Sequence, residues 1–149
     1  MYMNPGANLI VPHLPVGSVG VEIGVWKGDS SALFLKRAGH LYLVDPWIGQ
    51  EEQFRYVCKR FKHERVTIHR CTSAEFFQTF DTKVDWVYVD ALHDYDNVLA
   101  DLHGARSILK PGGVIFGDDY GNKPGVAPAV DEFAPERELL GLKQYAIFA

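Results

Sequence analysis

An α/β fold built on one doubly wound, mostly parallel sheet is predicted by three features of the 149-residue chain. Short apolar runs alternate with longer amphipathic ones, the pattern of repeated strand–helix–strand units. The connections between them are short, which places successive strands parallel with helices on both faces of the sheet. The run Val84 to Asp90 is nearly all apolar except Asp85, as a strand covered on both faces requires.

Each element has its own local reason. Val19–Gly24 reads as the first strand, and Asp29 as the N-cap of a helix over Ser30–Ala38 that Gly39 closes. Leu41–Asp45 is a second strand, stopped by Pro46. Phe54, Val57, Cys58 and Phe61 recur at helical spacing within Gln50–Phe61 and leave a charged back. Arg65–His69 is a third strand. Thr72 and Glu75 then form a capping box for a short helix through Phe80. After the fourth strand, Val84–Asp90, a helix runs from about Asn97 to Lys110, with Asp94 and Asp96 as helix-start residues. Pro111-Gly112-Gly113 ends it and turns into a fifth strand, Val114–Gly117. A Gly/Pro loop, a short helix near Val130–Phe133 and a closing strand pair, Glu138–Leu142 and Gln144–Phe148, complete the pattern. With no repeats or linkers, residues 1–149 are expected to form one near-minimal domain with a short N-terminal segment.

Composition removes several classes of function. At 47% hydrophobic and 23% charged, the chain has the balance of a folded domain rather than a disordered one. Its net charge of -4 and lack of a basic stripe speak against nucleic acid and against a basic membrane-surface helix. No run approaches the roughly 18 apolar residues needed to span a bilayer. Met1–Gly6 carries no basic leader region, and Leu9-Ile10-Val11 is too short for a signal peptide. Cys58 and Cys71 form no CxxC pattern and read as reduced, packed thiols. A cytoplasmic location is expected.

In a doubly wound sheet, ligands bind beyond the carboxyl ends of the strands. The first such turn, Glu22-Ile23-Gly24-Val25-Trp26-Lys27-Gly28, has glycines too sparse for a dinucleotide fingerprint. Glu22 just before it would repel a phosphate but suits a ligand ammonium group. Asp45, at the end of the second strand, stands where ribose hydroxyls are accepted. Together they describe a nucleoside ligand that carries an amino acid and no phosphate. The plainer alternatives are that Gly24 and Gly28 serve tight turns, that Asp45 caps a strand end, and that Trp26 and Trp47 are core.

Asp90 ends the fourth strand and Asp118-Asp119 the fifth. Carboxylates converging at adjacent strand ends stay ionised only around a cation, and all-oxygen ligation points to a hard ion such as Mg2+ or Ca2+. Otherwise Asp118 or Asp119 caps its loop and Asp90 bonds backbone amides. His93 is either a base of near-neutral pKa or a structural hydrogen-bonder.

These segments resemble class I S-adenosylmethionine-dependent methyltransferases along almost the whole chain. VEIGVWKGDSS is similar to the glycine-containing first motif, LYLVDPW to the acidic second motif and LKPGGVIFGDDY to the strand-five segment. VDALHDYDNVLADL, with GDDY and VAPAVDEF, resembles the branch of metal-dependent sugar and small-molecule O-methyltransferases of the macrocin type. The resemblance implies S-adenosylmethionine as cofactor, with Glu22, Gly24 and Gly28 at the methionine moiety, Asp45 at the ribose and Ser73-Ala74 at the adenine edge. It implies Mg2+ on Asp90, Asp118 and Asp119, activating a hydroxyl of a small-molecule acceptor with Asp90 catalytic; the base that some members carry two residues later is Leu92 here, which leaves His93 as the residue to take the proton. Relatives often read D-G-D-H-S-Y where this chain has Asp90-Ala91-Leu92-His93-Asp94-Tyr95, so His93 matches while Ala91 and Leu92 depart. Two other readings stay open: a nucleoside-binding module without turnover, and another metal-dependent reaction on the same scaffold. A homo-oligomer, in which a partner subunit supplies a lid, is a further option.

Overall fold

The computed structural model describes residues 5–149. Met1–Asn4, the start of the segment read as lacking a leader, lie outside the described residues. Seven strands form one sheet: β1 (Val19–Ile23), β2 (His40–Val44), β3 (Val66–His69), β4 (Val84–Val89), β5 (Leu109–Gly117), β6 (Glu138–Gly141) and β7 (Gln144–Phe148). Their order is β3-β2-β1-β4-β5-β7-β6. The first five pair in parallel, while β7 runs antiparallel to both β5 and β6. The doubly wound α/β fold expected from the sequence is the fold observed.

Among the described residues, six α-helices and a 3-10 turn (Val11–His13) flank the sheet: α1 (Pro5–Ile10), α2 (Asp29–Phe34), α3 (Glu51–Arg60), α4 (Ser73–Thr79), α5 (Tyr95–Ile108) and α6 (Val126–Phe133). Strand alternation divides the core between the two faces. Trp86 and Tyr88 of β4 pack with Phe34, Trp47 and Val57 on the α1–α3 side. Val87 and Val89 pack with Phe76, Leu102 and Val130 on the α4–α6 side. Burial on both faces explains why β4 reads as a continuous apolar run. No described helix is long and apolar enough to cross a membrane. Cys58 and Cys71 are free thiols, each half-buried.

Several boundaries differ from expectation for local reasons. The N-cap of α2 is Gly28 in the left-handed region at φ 81°, not Asp29, whose carboxylate instead meets Arg60 at 2.8 Å. That helix ends at Phe34 rather than Ala38. The helix expected to reach Lys110 stops at Ile108, because Leu109 already pairs with Val84. The register then shifts across Pro111-Gly112-Gly113 before Val114 pairs with Trp86, so β5 starts earlier than the glycines suggest. α6 begins at Val126, not Val130, with Pro128 in the first turn, where a missing N–H costs nothing. α1 is a helix the sequence pattern did not mark; it buries Ala7 and Ile10 and packs against α2, β6 and β7.

Candidate functional site

Strand order reverses at β1, which has β2 on one side and β4 on the other. The carboxyl ends of β1, β2 and β4 therefore open together. Gly24 follows β1 at φ 90°, its N–H donating to the Val44 carbonyl at 2.9 Å. A Cβ there would stand 2.1 Å from the Asp90 carbonyl oxygen. Gly24 is thus required by the close passage of the β4 end. Gly28 is likewise fixed by its positive φ and by Phe61, whose ring would lie 2.4 Å from a Cβ.

Asp45 joins two loops. Its Oδ2 accepts from the backbone N–H of Val25 at 2.9 Å and of Trp26 at 3.0 Å, and its Oδ1 from that of Trp47 at 2.8 Å. Trp26 and Trp47 have φ of 54° and 47°, a left-handed conformation that costs a non-glycine residue about 1–2 kcal/mol. Such strain persists where surrounding bonds over-determine it, and Asp45 supplies those bonds. Trp47 is core at 1% exposure, whereas Trp26 is 47% exposed beside the opening. Beneath this loop Glu22 is buried and bonded to the Ser31 hydroxyl. Burial pushes its carboxyl well above the usual range, and Asp90, Asp45 and Asp29 push it the same way.

The α4 start is occupied by structural bonds. Thr72 and Glu75 form the expected capping box, at 3.2 Å and 2.9 Å. The Ser73 hydroxyl bonds to Asp101 of α5, a buried carboxyl that desolvation raises to about 6. Ala74 is exposed.

At the ends of β4 and β5, β4 and β5 pair directly, with Val89 beside Gly117. His93 Nε2 lies 2.8 Å from Asp119 Oδ2 and 3.6 Å from Asp90 Oδ1, aligned as a hydrogen bond to neither. Burial raises Asp90 to about 6, with Asp118 and Asp119 adding to the rise. Asp90, followed by Asp119, holds the His93 imidazolium above its ordinary range. Asp118 is also raised, chiefly by burial. A cavity of about 10 Å³, with room for one water, is lined by Asp90, His93, Asp118 and Tyr145 among others. A separate open groove of about 450 Å³ lies by Lys27, Glu52, Gln53 and Tyr56, and none of the sequence-predicted residues lines it.

The expected Asp90–Asp118–Asp119 metal triad does not assemble as read. Among the described residues, Asp90, His93 and Asp119 form the cluster whose ligand atoms lie within 4.8 Å. Asp118 stands apart from it: its Oδ1 accepts from Gln144 Nε2 at 2.6 Å and from the Asp119 N–H at 2.7 Å. Asp119 Oδ1 accepts from Asn122 at 2.9 Å and from Lys143 Nζ at 2.9 Å. Mg2+ prefers an all-oxygen octahedron. This mixed set already holds an ammonium and an imidazole, so the residues do not fit a Mg2+ centre. Lys143 and Gln144 were not foreseen. The only signal for them is the closing hairpin, whose antiparallel β7 returns its turn to the carboxyl end of β5.

Residues 21–120, more than half of the chain, match the model of the family described as a methyltransferase domain. The chain belongs to that family. An uncharacterised protein of Acanthamoeba polyphaga mimivirus is 28% identical over 130 residues, covering 78% of this chain and 59% of that relative. The chain thus spans less than two thirds of that relative's length. A Streptococcus mutans protein described as a methyltransferase, solved with S-adenosylhomocysteine, superposes with a TM-score of 0.74 at 12% identity, over 99% of both chains. A SAM-dependent O-methyltransferase of Thermotoga maritima gives 0.72 at 18% identity, over 99% of this chain and 65% of that one. The Streptomyces achromogenes O-methyltransferase of tomaymycin synthesis, solved with S-adenosylmethionine, gives 0.67 at 17% identity, over 94% and 75%. At these identities the likeness is one of fold.

Proposed function

We propose that this member of the methyltransferase domain family moves the methyl group of S-adenosylmethionine onto a hydroxyl of a small molecule. The observation that carries the reading is the Asp45 clamp at the β1–β2–β4 opening, in a chain whose family match covers that loop. Carboxyl groups of Glu22, Asp45 and Asp90 lie at the opening, and the charges of Asp90 and Asp45 add to the rise of Glu22. That field rejects phosphate and favours a positively charged, phosphate-free nucleoside.

The cofactor, when bound, supplies a methyl already activated on a sulfonium. The chain then has two tasks: to align the acceptor oxygen and to take its proton. Asp45 fixes the donor loop and keeps one lone pair, on Oδ1, for a ribose hydroxyl. Glu22, buried and bonded to the Ser31 hydroxyl, braces the loop from below. His93, neutral with its remaining proton on the Nε2 that faces Asp119 and Asp90, accepts the hydroxyl proton at Nδ1, and the two carboxylates hold the imidazolium that results. The Mg2+ that the resemblance implied is not carried into this reading, because its donor set does not fit.

Transfer of label from methyl-labelled S-adenosylmethionine to a panel of sugars and catechols tests the proposal. Labelled methyl ether is expected. Tight cofactor binding with no transfer to any hydroxyl would leave a binding module instead.

A further inference from the structure

The β6–β7 turn carries a cation into the carboxylate cluster. Lys143 Nζ lies 2.9 Å from Asp119 Oδ1, and the opposite oxygen, Oδ2, faces His93 at 2.8 Å. The turn is not free to drift. The Lys143 carbonyl accepts from the Tyr120 N–H at 2.9 Å, tying it to the residue next to Asp119. Gln144, only 1% exposed, donates to Asp118 Oδ1 at 2.6 Å. Neighbouring residues of one turn thus grip neighbouring aspartates, one through an ammonium and one through an amide. Asp119 itself sits at φ 67°, a conformation that these bonds hold in place.

Partly buried carboxylates that converge need a positive charge among them to stay ionised. We propose that Lys143 is the built-in counter-cation of this cluster. It is a positioning residue that holds Asp119 by one oxygen, keeps the other turned to His93, and makes the cluster a poor host for a divalent ion. The inference rests on reading the cluster as the acceptor end of a methyltransferase site. A lysine charge a few ångström from a bound divalent ion lowers the affinity for that ion by at least about tenfold, the value that full screening by bulk water would leave.

The test is a Mn2+ titration of the full chain, followed by the electron paramagnetic resonance signal of free Mn2+. Wild type, Lys143→Met, Lys143→Gln and Lys143→Arg are compared, with S-adenosylmethionine affinity measured on each by calorimetry. Both neutral variants are expected to bind Mn2+ at least about tenfold more tightly than wild type. Lys143→Arg, which keeps the charge, should match wild type. Cofactor affinity should be the same in all four proteins. Equal Mn2+ affinity in wild type and the folded neutral variants would overturn the proposal. So would anomalous density for Mn2+ between Asp90, His93 and Asp119 in a soaked wild-type crystal with Lys143 still on Asp119, a result that needs no variant. Failure of every protein to bind the cofactor would count against the methyltransferase reading, while the Mn2+ comparison would still decide the role of Lys143.

Discussion

The indole N–H of Trp47 donates to the backbone carbonyl of Trp26 at 2.8 Å, tying the loop after β2 to the loop after β1. Both residues hold a left-handed backbone, and Asp45 accepts an N–H from each. The donor loop is therefore shaped by a neighbouring strand's residues as much as by its own glycines. Trp47→Phe keeps an aromatic ring in the core but removes the donor and part of the volume. It should cost about 1–3 kcal/mol of stability and weaken S-adenosylmethionine binding several-fold. Thermal melts and calorimetry on the same sample check both effects; an unchanged affinity would mean the loop needs no such tie.

His93→Asn should lower methyl transfer by about 10²–10⁴-fold while leaving cofactor affinity intact, as loss of a proton acceptor does. Because Asp90 and then Asp119 favour the charged imidazole, His93 loses its proton above the ordinary value of 6.5. Only the neutral form can accept a hydroxyl proton. The rate should therefore rise with pH through a midpoint above 6.5, and the variant should lose that limb. A rate–pH profile on both proteins gives the answer.

Much of this arrangement was legible before the fold was known. Apolar runs placed every strand to within a residue except the start of β5, and Asp45, Asp90 and Asp119 stand at or just past the carboxyl ends of their strands. What was hidden is tertiary. The resemblance put Ser73 at the adenine edge and its place at a helix start made it a capping residue; its hydroxyl bonds to Asp101, on a helix that periodicity treats separately. Asp29 looked like a cap, but Arg60, far along the chain, takes its carboxylate at 2.8 Å. Gly24 read as a turn glycine, but the backbone of β4 that also demands a glycine there comes from a strand distant in sequence. Lys143 and Gln144 belong to no motif, and only the pairing of β7 with β5 delivers them to the aspartates.

Asp101 gives a stability prediction with a definite sign. Burial raises its carboxyl from 3.8 to about 6 in the folded chain, so the folded state binds the proton more tightly than the unfolded one. The favourable contribution is complete below the unfolded value and disappears as pH rises through about 6. Asp101→Asn carries no such charge and can still bond Ser73. It should exceed wild type by about 1–3 kcal/mol at neutral pH and lose the advantage near pH 4. Melting temperatures across that range would show the two curves converge on the acid side; parallel curves would contradict the buried carboxyl.

Calorimetric titration of the full chain with S-adenosylmethionine, beside a titration with NAD, probes the donor site most directly. The account predicts saturable binding of S-adenosylmethionine at one site per chain and no heat from NAD. Tight NAD binding, with the sulfonium compound giving none, would contradict it.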